Sequence, residues 1–155
     1  MREKNLSNYK AVILAGGKGT RLYPVTKEIP KPLLSVRRKP IINYLADLFF
    51  SYGVKDIAVL INKEFKQEFD WWIQKHYSVN PVKENSQVSS WQDDFDSPKD
   101  FPNIKLFVEA EPMGTFGGLW FLKNWIAGSP FFMTNGDELK QVDLGKMAEI
   151  HQIQD

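Results

Sequence analysis

The sequence predicts an α/β fold, a mainly parallel sheet with helices on both faces, on three observations. Two apolar runs, Ala11-Val12-Ile13-Leu14-Ala15 and Ile57-Ala58-Val59-Leu60-Ile61, show no polar alternation and so read as strands buried on both faces. Segments with apolar residues at three- and four-residue steps separate the strand-like runs, as helical crossovers between parallel neighbours do. The chain has 155 residues, 43% of them apolar and 25% charged, which suits one folded domain and excludes a disordered tail or a coiled coil.

The first strand follows Lys10 and ends at Gly16-Gly17. Pro40 then opens a helix that carries Ile41, Ile42, Leu45, Leu48, Phe49 and Tyr52 on one stripe and stops at Gly53. After the second strand, Ile57 to Ile61, the spacing of Phe65, Phe69, Trp72, Ile73 and His76 predicts a second amphipathic helix. Residues 78–102 are polar, aperiodic and rich in proline, which predicts a surface insertion; its Asp93, Asp94 and Asp96 read as a solvated acidic loop. A strand from Ile104 to Val108, a helix from Thr115 to Ile126 and a strand from Phe131 to Thr134 come next. Asp143 is placed to cap a last helix with Leu144, Met147 and Ile150. Trp71, Trp72, Trp120 and Trp125 fall in helical segments and are expected in the core, and His151 is expected to be structural. The order is β-α-β-α-β-α-β-α, and ligands of such sheets bind beyond the carboxyl ends of the strands.

No apolar run approaches the roughly 18 residues that cross a bilayer, and the polar opening Met1-Arg2-Glu3-Lys4-Asn5 carries no export signal, so a cytoplasmic location is expected. With no cysteine and only His76 and His151, a metal must be held by oxygen, which means Asp or Glu with a hard cation such as Mg²⁺. The net charge of +1 hides an asymmetry. Between Gly16 and Pro40 seven cations face Glu28 alone, a local +6 that leaves −5 for the remainder. Positive charge gathered in one short segment points to an anionic partner. Glycines and prolines interrupt it where a nucleic-acid surface would carry stacking aromatics, so nucleic acid is not the expected partner.

Two constellations carry the chemistry. The loop Gly16-Gly17-Lys18-Gly19-Thr20-Arg21-Leu22 is not a P-loop, since Val12 stands at the first glycine position and Gly19 follows Lys18. Nor is it the dinucleotide fingerprint, since Leu22 replaces its third glycine. It remains a glycine-rich turn whose N–H groups can approach a polyphosphate. Pro24, Pro30 and Pro32 stiffen the segment after it, and Lys31, between two prolines, is expected in an extended conformation. The second constellation is Phe131-Phe132-Met133-Thr134-Asn135-Gly136-Asp137-Glu138. A carboxylate just past a buried strand there can hold Mg²⁺, although Asn-Gly-Asp is also an ordinary turn sequence.

The run Val12 to Thr26 with Pro30-Lys31-Pro32-Leu33 resembles the signature of the sugar-phosphate nucleotidyltransferases, and the likeness continues in Glu111-Pro112-Met113-Gly114-Thr115-Phe116-Gly117-Gly118-Leu119 and in Asn135-Gly136-Asp137 with Val142-Asp143-Leu144. The resemblance implies a three-layer Rossmann-like fold and condensation of a nucleoside triphosphate with a sugar-1-phosphate to a nucleotide sugar and pyrophosphate. It assigns Ala15, Gly16, Gly17, Gly19 and Thr20, with Gly114 and Thr115, to the nucleotide, Arg21 to the triphosphate, Lys31 to the α-phosphorus and Asp137 to Mg²⁺. Phe116 departs from the alanine usual in the family. The pattern leans toward mannose-1-phosphate guanylyltransferases over glucose-1-phosphate thymidylyltransferases, with base and sugar open.

Family members are longer, and their glutamate-lysine-proline segment and second metal aspartate do not occur after Asp137. Residues 1–155 are therefore expected to be the amino-terminal portion of a catalytic domain, one that binds nucleotide weakly, turns nothing over alone and leaves a sheet edge through which it can homo-oligomerise. The rival reading is a non-catalytic nucleotide-binding or regulatory subunit, against which the joint presence of Arg21, Lys31 and Asp137 argues. Arg21→Ala, placed in a chain carrying the complete domain, is predicted to lower pyrophosphate release by orders of magnitude with folding intact, each tenfold loss corresponding to about 1.4 kcal/mol. Release unchanged in a folded variant would remove Arg21 from the site.

Overall fold

A computed structural model describes residues 5–17, 19, 22–77, 101–111 and 114–154. The elements are β1 (Lys10–Ala15), β2 (Ser35–Val36), β3 (Lys39–Pro40), α1 (Ile41–Ser51), β4 (Asp56–Asn62), α2 (Lys66–Tyr77), β5 (Asn103–Glu109), α3 (Gly114–Gly117), α4 (Leu119–Ile126), β6 (Phe131–Asn135) and α5 (Leu144–Gln154). The alternation expected from the hydrophobic pattern is present. The insertion proposed for residues 78–102, with its three aspartates, lies outside the described residues apart from Phe101 and Pro102.

Four strands form one parallel sheet in the order β5-β4-β1-β6. β1 lies between β4 and β6, with Ile13 opposite Val59 on one side and Thr134 on the other. Alternate residues of β1 serve two apolar clusters. Ala11, Ile13 and Ala15 pack with residues of α1, α2 and α5, including Leu45, Phe49, Trp72 and Ala148. Val12 packs with Ala58 and Leu122, backed by Trp125 of α4. A strand used on both faces has no position for a polar residue, which is why the run from Ala11 to Ala15 has none.

Four sequence expectations are corrected. Trp72 is buried, but Trp71 and Trp120 are 53% and 66% exposed. Each stands two residues, or about 200° of helix, from a buried neighbour, Phe69 and Leu122 respectively, and so faces away from the core. Lys75 and Lys123 lie over their rings instead. The helix expected from Thr115 to Ile126 is two helices, α3 and α4, parted at Gly118. Lys31 is not extended; it opens a 3-10 turn, Lys31–Leu33, closed by Leu33 N–H on the Pro30 carbonyl at 2.8 Å and Leu34 N–H on the Lys31 carbonyl at 3.1 Å. Those bonds offset the bias of a residue before proline, and Pro32 has no N–H to leave unsatisfied. Finally, Ser35–Val36 and Lys39–Pro40 form an antiparallel hairpin with Arg37 and Arg38 at its tip, both at positive φ, and Pro40 ends that hairpin as the residue before α1.

The α5 cap is as expected, with Asp143 Oδ1 accepting from Lys146 N–H at 2.9 Å. Met147 and Ile150, however, are about half exposed on this helix, and Leu144 and Ala148 make its buried contacts. His151 is exposed near the end of α5, beside an apolar groove of about 580 Å³ between β6, α1 and α5. Inside the core one polar pair joins two helices, Trp72 Nε1–H donating to Asn43 Oδ1 at 2.7 Å. Asn43→Ala should leave that buried indole N–H without a partner and cost about 1–3 kcal/mol in urea unfolding; an unchanged midpoint would show that water reaches the group.

Candidate functional site

The carboxyl ends of β1, β5 and β6 meet in a cleft of about 410 Å³. It lies where the chain, having added β4 and β5 on one side of β1, switches to place β6 on the other, as expected of ligand sites in open parallel sheets. Ala15, Gly16, Gly17, Gly19, Lys31, Gly114 and Asp137 all line it. Thr20 and Arg21 fall outside the described residues, and Thr115 lies in α3 by its backbone, its side chain outside the description.

Two tethers hold the glycine loop. Thr26, fully buried, donates its hydroxyl to the Gly19 carbonyl at 2.7 Å, and Leu22 N–H bonds the same carbonyl at 2.9 Å. Gly19 has φ +61°, and a Cβ there would lie 3.2 Å from the Thr26 side chain, so the turn requires glycine twice over. On the far wall Gly136 N–H bonds the Leu14 carbonyl at 2.8 Å. A Cβ at Gly136 would lie 3.0 Å from Ile13 and 3.1 Å from that carbonyl, so glycine allows the turn after β6 to close onto β1. Asp137 is thereby set beside the glycine loop.

There it meets Lys31. The ammonium lies 2.7 Å from Asp137 Oδ2, joining residues 106 positions apart, with both side chains about one third exposed. An ion pair so exposed contributes only about 0–1 kcal/mol to stability. Lys31 is the one described member of the basic segment that lines the cleft. Lys27 lies over the Tyr23 ring, Lys39 pairs with Asp47, and Arg37 and Arg38 sit exposed on the hairpin. The charge asymmetry therefore marked the right stretch of chain but, among the described residues, overstated how many cations reach the site.

Three polar lining residues are assigned no role from the sequence: Asn135 and Glu138, which stand in the second constellation, and Glu109. Glu138 accepts from Lys140 and, at 3.3 Å, from Asn135 Nδ2. The hydrogen bond from Lys140, then that from Asn135, holds its carboxyl below the usual carboxylate range. Glu109 ends β5 and is 8% exposed. Its carboxylate is wedged between two glycines, since a Cβ at Gly16 would stand 2.7 Å from Oε2 and one at Gly118 2.7 Å from Oε1. The available signal was an acid directly after the predicted strand, which was expected to stop at Val108 but runs on to Glu109.

The donor set can be tested against the expected magnesium. Asp137 already carries a cation on one oxygen, the Lys31 ammonium, so its position suits positive charge. Among the described residues no three Asp, Glu or His side chains gather around one point. An all-protein cage is therefore not formed by them, whereas a magnesium ion that takes one or two carboxylates and completes its shell with phosphate oxygens and water fits.

A family model described as nucleotidyl transferase matches residues 10–155, and the chain belongs to that family. It is 31% identical over 149 residues to the probable glucose-1-phosphate cytidylyltransferase of Bacillus subtilis, covering 92% of this chain and 56% of the relative. It is 33% identical to the mannose-1-phosphate guanyltransferase of Schizosaccharomyces pombe, covering 92% and 34%. HddC from Yersinia pseudotuberculosis, solved in complex with GMP-PN, superposes with a TM-score of 0.64 at 29% identity over 92% of this chain and 53% of that one. A UDP-glucose pyrophosphorylase shares the fold at a TM-score of 0.68 and 20% identity. The chain thus spans between about a third and somewhat over half of the length of these relatives. The Rossmann-like α/β expectation is correct.

Gly118→Ala is predicted to lower stability by about 1–3 kcal/mol, because the added methyl would lie 2.1 Å from Leu60 Cδ2 as well as against Glu109. Denaturant unfolding measures it. A wild-type midpoint would mean that the break between α3 and α4 shifts freely.

Proposed function

We propose that the protein transfers a nucleotidyl group from a nucleoside triphosphate to a sugar-1-phosphate, and that the cleft described here is its nucleotide side. The observation that carries this reading is the meeting of Lys31 and Asp137 at 2.7 Å beside the glycine loop. A cation for phosphate and a carboxylate for a hard metal are the two charges that attack on a polyanionic nucleotide demands. The named activities of the relatives point the same way, toward glucose-1-phosphate or mannose-1-phosphate as acceptor class.

In this mechanism the glycine-loop N–H groups and Arg21 hold the triphosphate while Lys31 neutralises charge at the α-phosphorus. An oxygen of the sugar phosphate forms the new bond to that phosphorus, and the bond to the bridging oxygen breaks to release pyrophosphate. No general base is required, since the attacking oxygen is ionised at neutral pH. Asp137 would hold Mg²⁺, which when bound supplies countercharge for the phosphates. A charge pair at 4 Å is worth roughly 4 kcal/mol at an effective dielectric of 20, against about 0.3–1 kcal/mol for a helix N-terminus, so the charged groups dominate over backbone dipoles. On this reading the protein acts in nucleotide-sugar supply, and a cytoplasmic location is part of the proposal. We read the matched residues, 10–155, as a portion of one catalytic domain.

Calorimetric titration with GTP, CTP, UTP and dTTP, each in magnesium and in EDTA, tests the site. Binding in magnesium should weaken about tenfold in Asp137→Asn and be little changed in EDTA. Failure of every triphosphate to bind the wild-type chain, or equal binding by the variant in magnesium, would sink the assignment. A matrix of pyrophosphate-release assays with sugar-1-phosphates then identifies base and sugar.

A further inference from the structure

Lys31 and Asp137 are needed by the proposed reaction in separate company, the ammonium on phosphate and the carboxylate on a divalent cation, yet here they hold each other. We infer that Lys31 gates the cation position: it occupies Asp137 until phosphate oxygens draw the ammonium away, so that a divalent cation enters with the triphosphate and not before it. The inference deepens the functional reading above and rests on it.

Local charge supports the gate. The pair of Lys31 and Asp137 sums to zero, and the adjacent Glu138 is engaged by Lys140 and Asn135. From these side chains a bare divalent cation approaching Asp137 therefore meets little net attraction, and the one further carboxylate among the described lining residues, Glu109, is buried at the end of β5. It would also have to sit about 2.0–2.1 Å from a carboxylate oxygen, against an ammonium already in contact with that carboxylate, and the two cations repel. A triphosphate reverses the balance, because it offers Lys31 several anionic oxygens and brings its own share of the metal's ligands.

The geometry makes the exchange cheap. An ion pair about one third exposed contributes little to stability, so breaking it costs little. Lys31 swings on a flexible four-carbon stem, whereas its backbone is fixed in the 3-10 turn by two hydrogen bonds and by the buried Pro32. The ammonium can thus leave Asp137 without the loop moving. Lys27 and Lys39 are held elsewhere, on Tyr23 and Asp47, and do not replace it.

Manganese binding to the 155-residue chain, followed by electron paramagnetic resonance without nucleotide, reads the gate directly. Lys31→Met and Lys31→Gln should each bind Mn²⁺ on the order of tenfold more tightly than wild type, with circular dichroism confirming the fold. Lys27→Met, which removes a cation of the same segment away from Asp137, should stay within about twofold of wild type. Adding Asp137→Asn to Lys31→Met should abolish the gain. Wild-type affinity in both Lys31 variants, with Asp137→Asn alone still weakening Mn²⁺ binding, would overturn the gate and leave Asp137 as the metal residue. An equal gain in Lys27→Met would also overturn it, by reducing the effect to net charge. A gain that survives Asp137→Asn would overturn the gate and the assignment of Asp137 together.

Discussion

Among the described residues, the four-stranded sheet and the cleft at its end are organised around β1. It is hydrogen-bonded to β4 on one edge and β6 on the other, and its residues are shared between two apolar clusters. A strand so enclosed on edges and faces leaves only its ends open, and Gly16, Gly17 and Gly19 follow its carboxyl end. The same carboxyl end receives the Gly136 turn, which bonds the Leu14 carbonyl. The position of Asp137 is thus a consequence of strand pairing at the centre of the sheet and not of local turn chemistry.

Around that anchor the cleft is built from small residues and few charges. Gly16 and Gly118 leave room for the buried Glu109 carboxylate, and Thr26 pins the glycine loop from beneath. The contacts are short-range and rigid on the backbone side, whereas Lys31 and Asp137 meet through partly exposed side chains. Stiff walls with movable charges suit the binding of a polyanion proposed for this cleft.

Among the described residues the two edges of the sheet differ. β5 alternates toward solvent with Asn103 and Lys105 exposed, and an edge lysine discourages further pairing. β6 has no charged residue, and its Phe131 and Met133 are each 37% exposed. Among the described residues β6 pairs with β1 alone. This uncharged edge lies beside the apolar groove between β6, α1 and α5.

The sequence by itself determined the alternation of the four sheet strands with helices, the glycine turn, the Asp143 cap and the family, because each rests on periodicity or on residues adjacent in the chain. It also singled out Lys31 and Asp137, though only by resemblance for their roles. What the tertiary structure decided was company. Which cations reach the cleft, that Glu109 is wedged between two glycines, and that Trp71 and Trp120 face outward all depend on how faces are oriented once the elements pack. So does the pairing of Lys31 with Asp137, since 106 residues separate them and no local rule brings such groups together. Hydrophobic periodicity is a property of neighbours along the chain, whereas a charge's partner is set by packing.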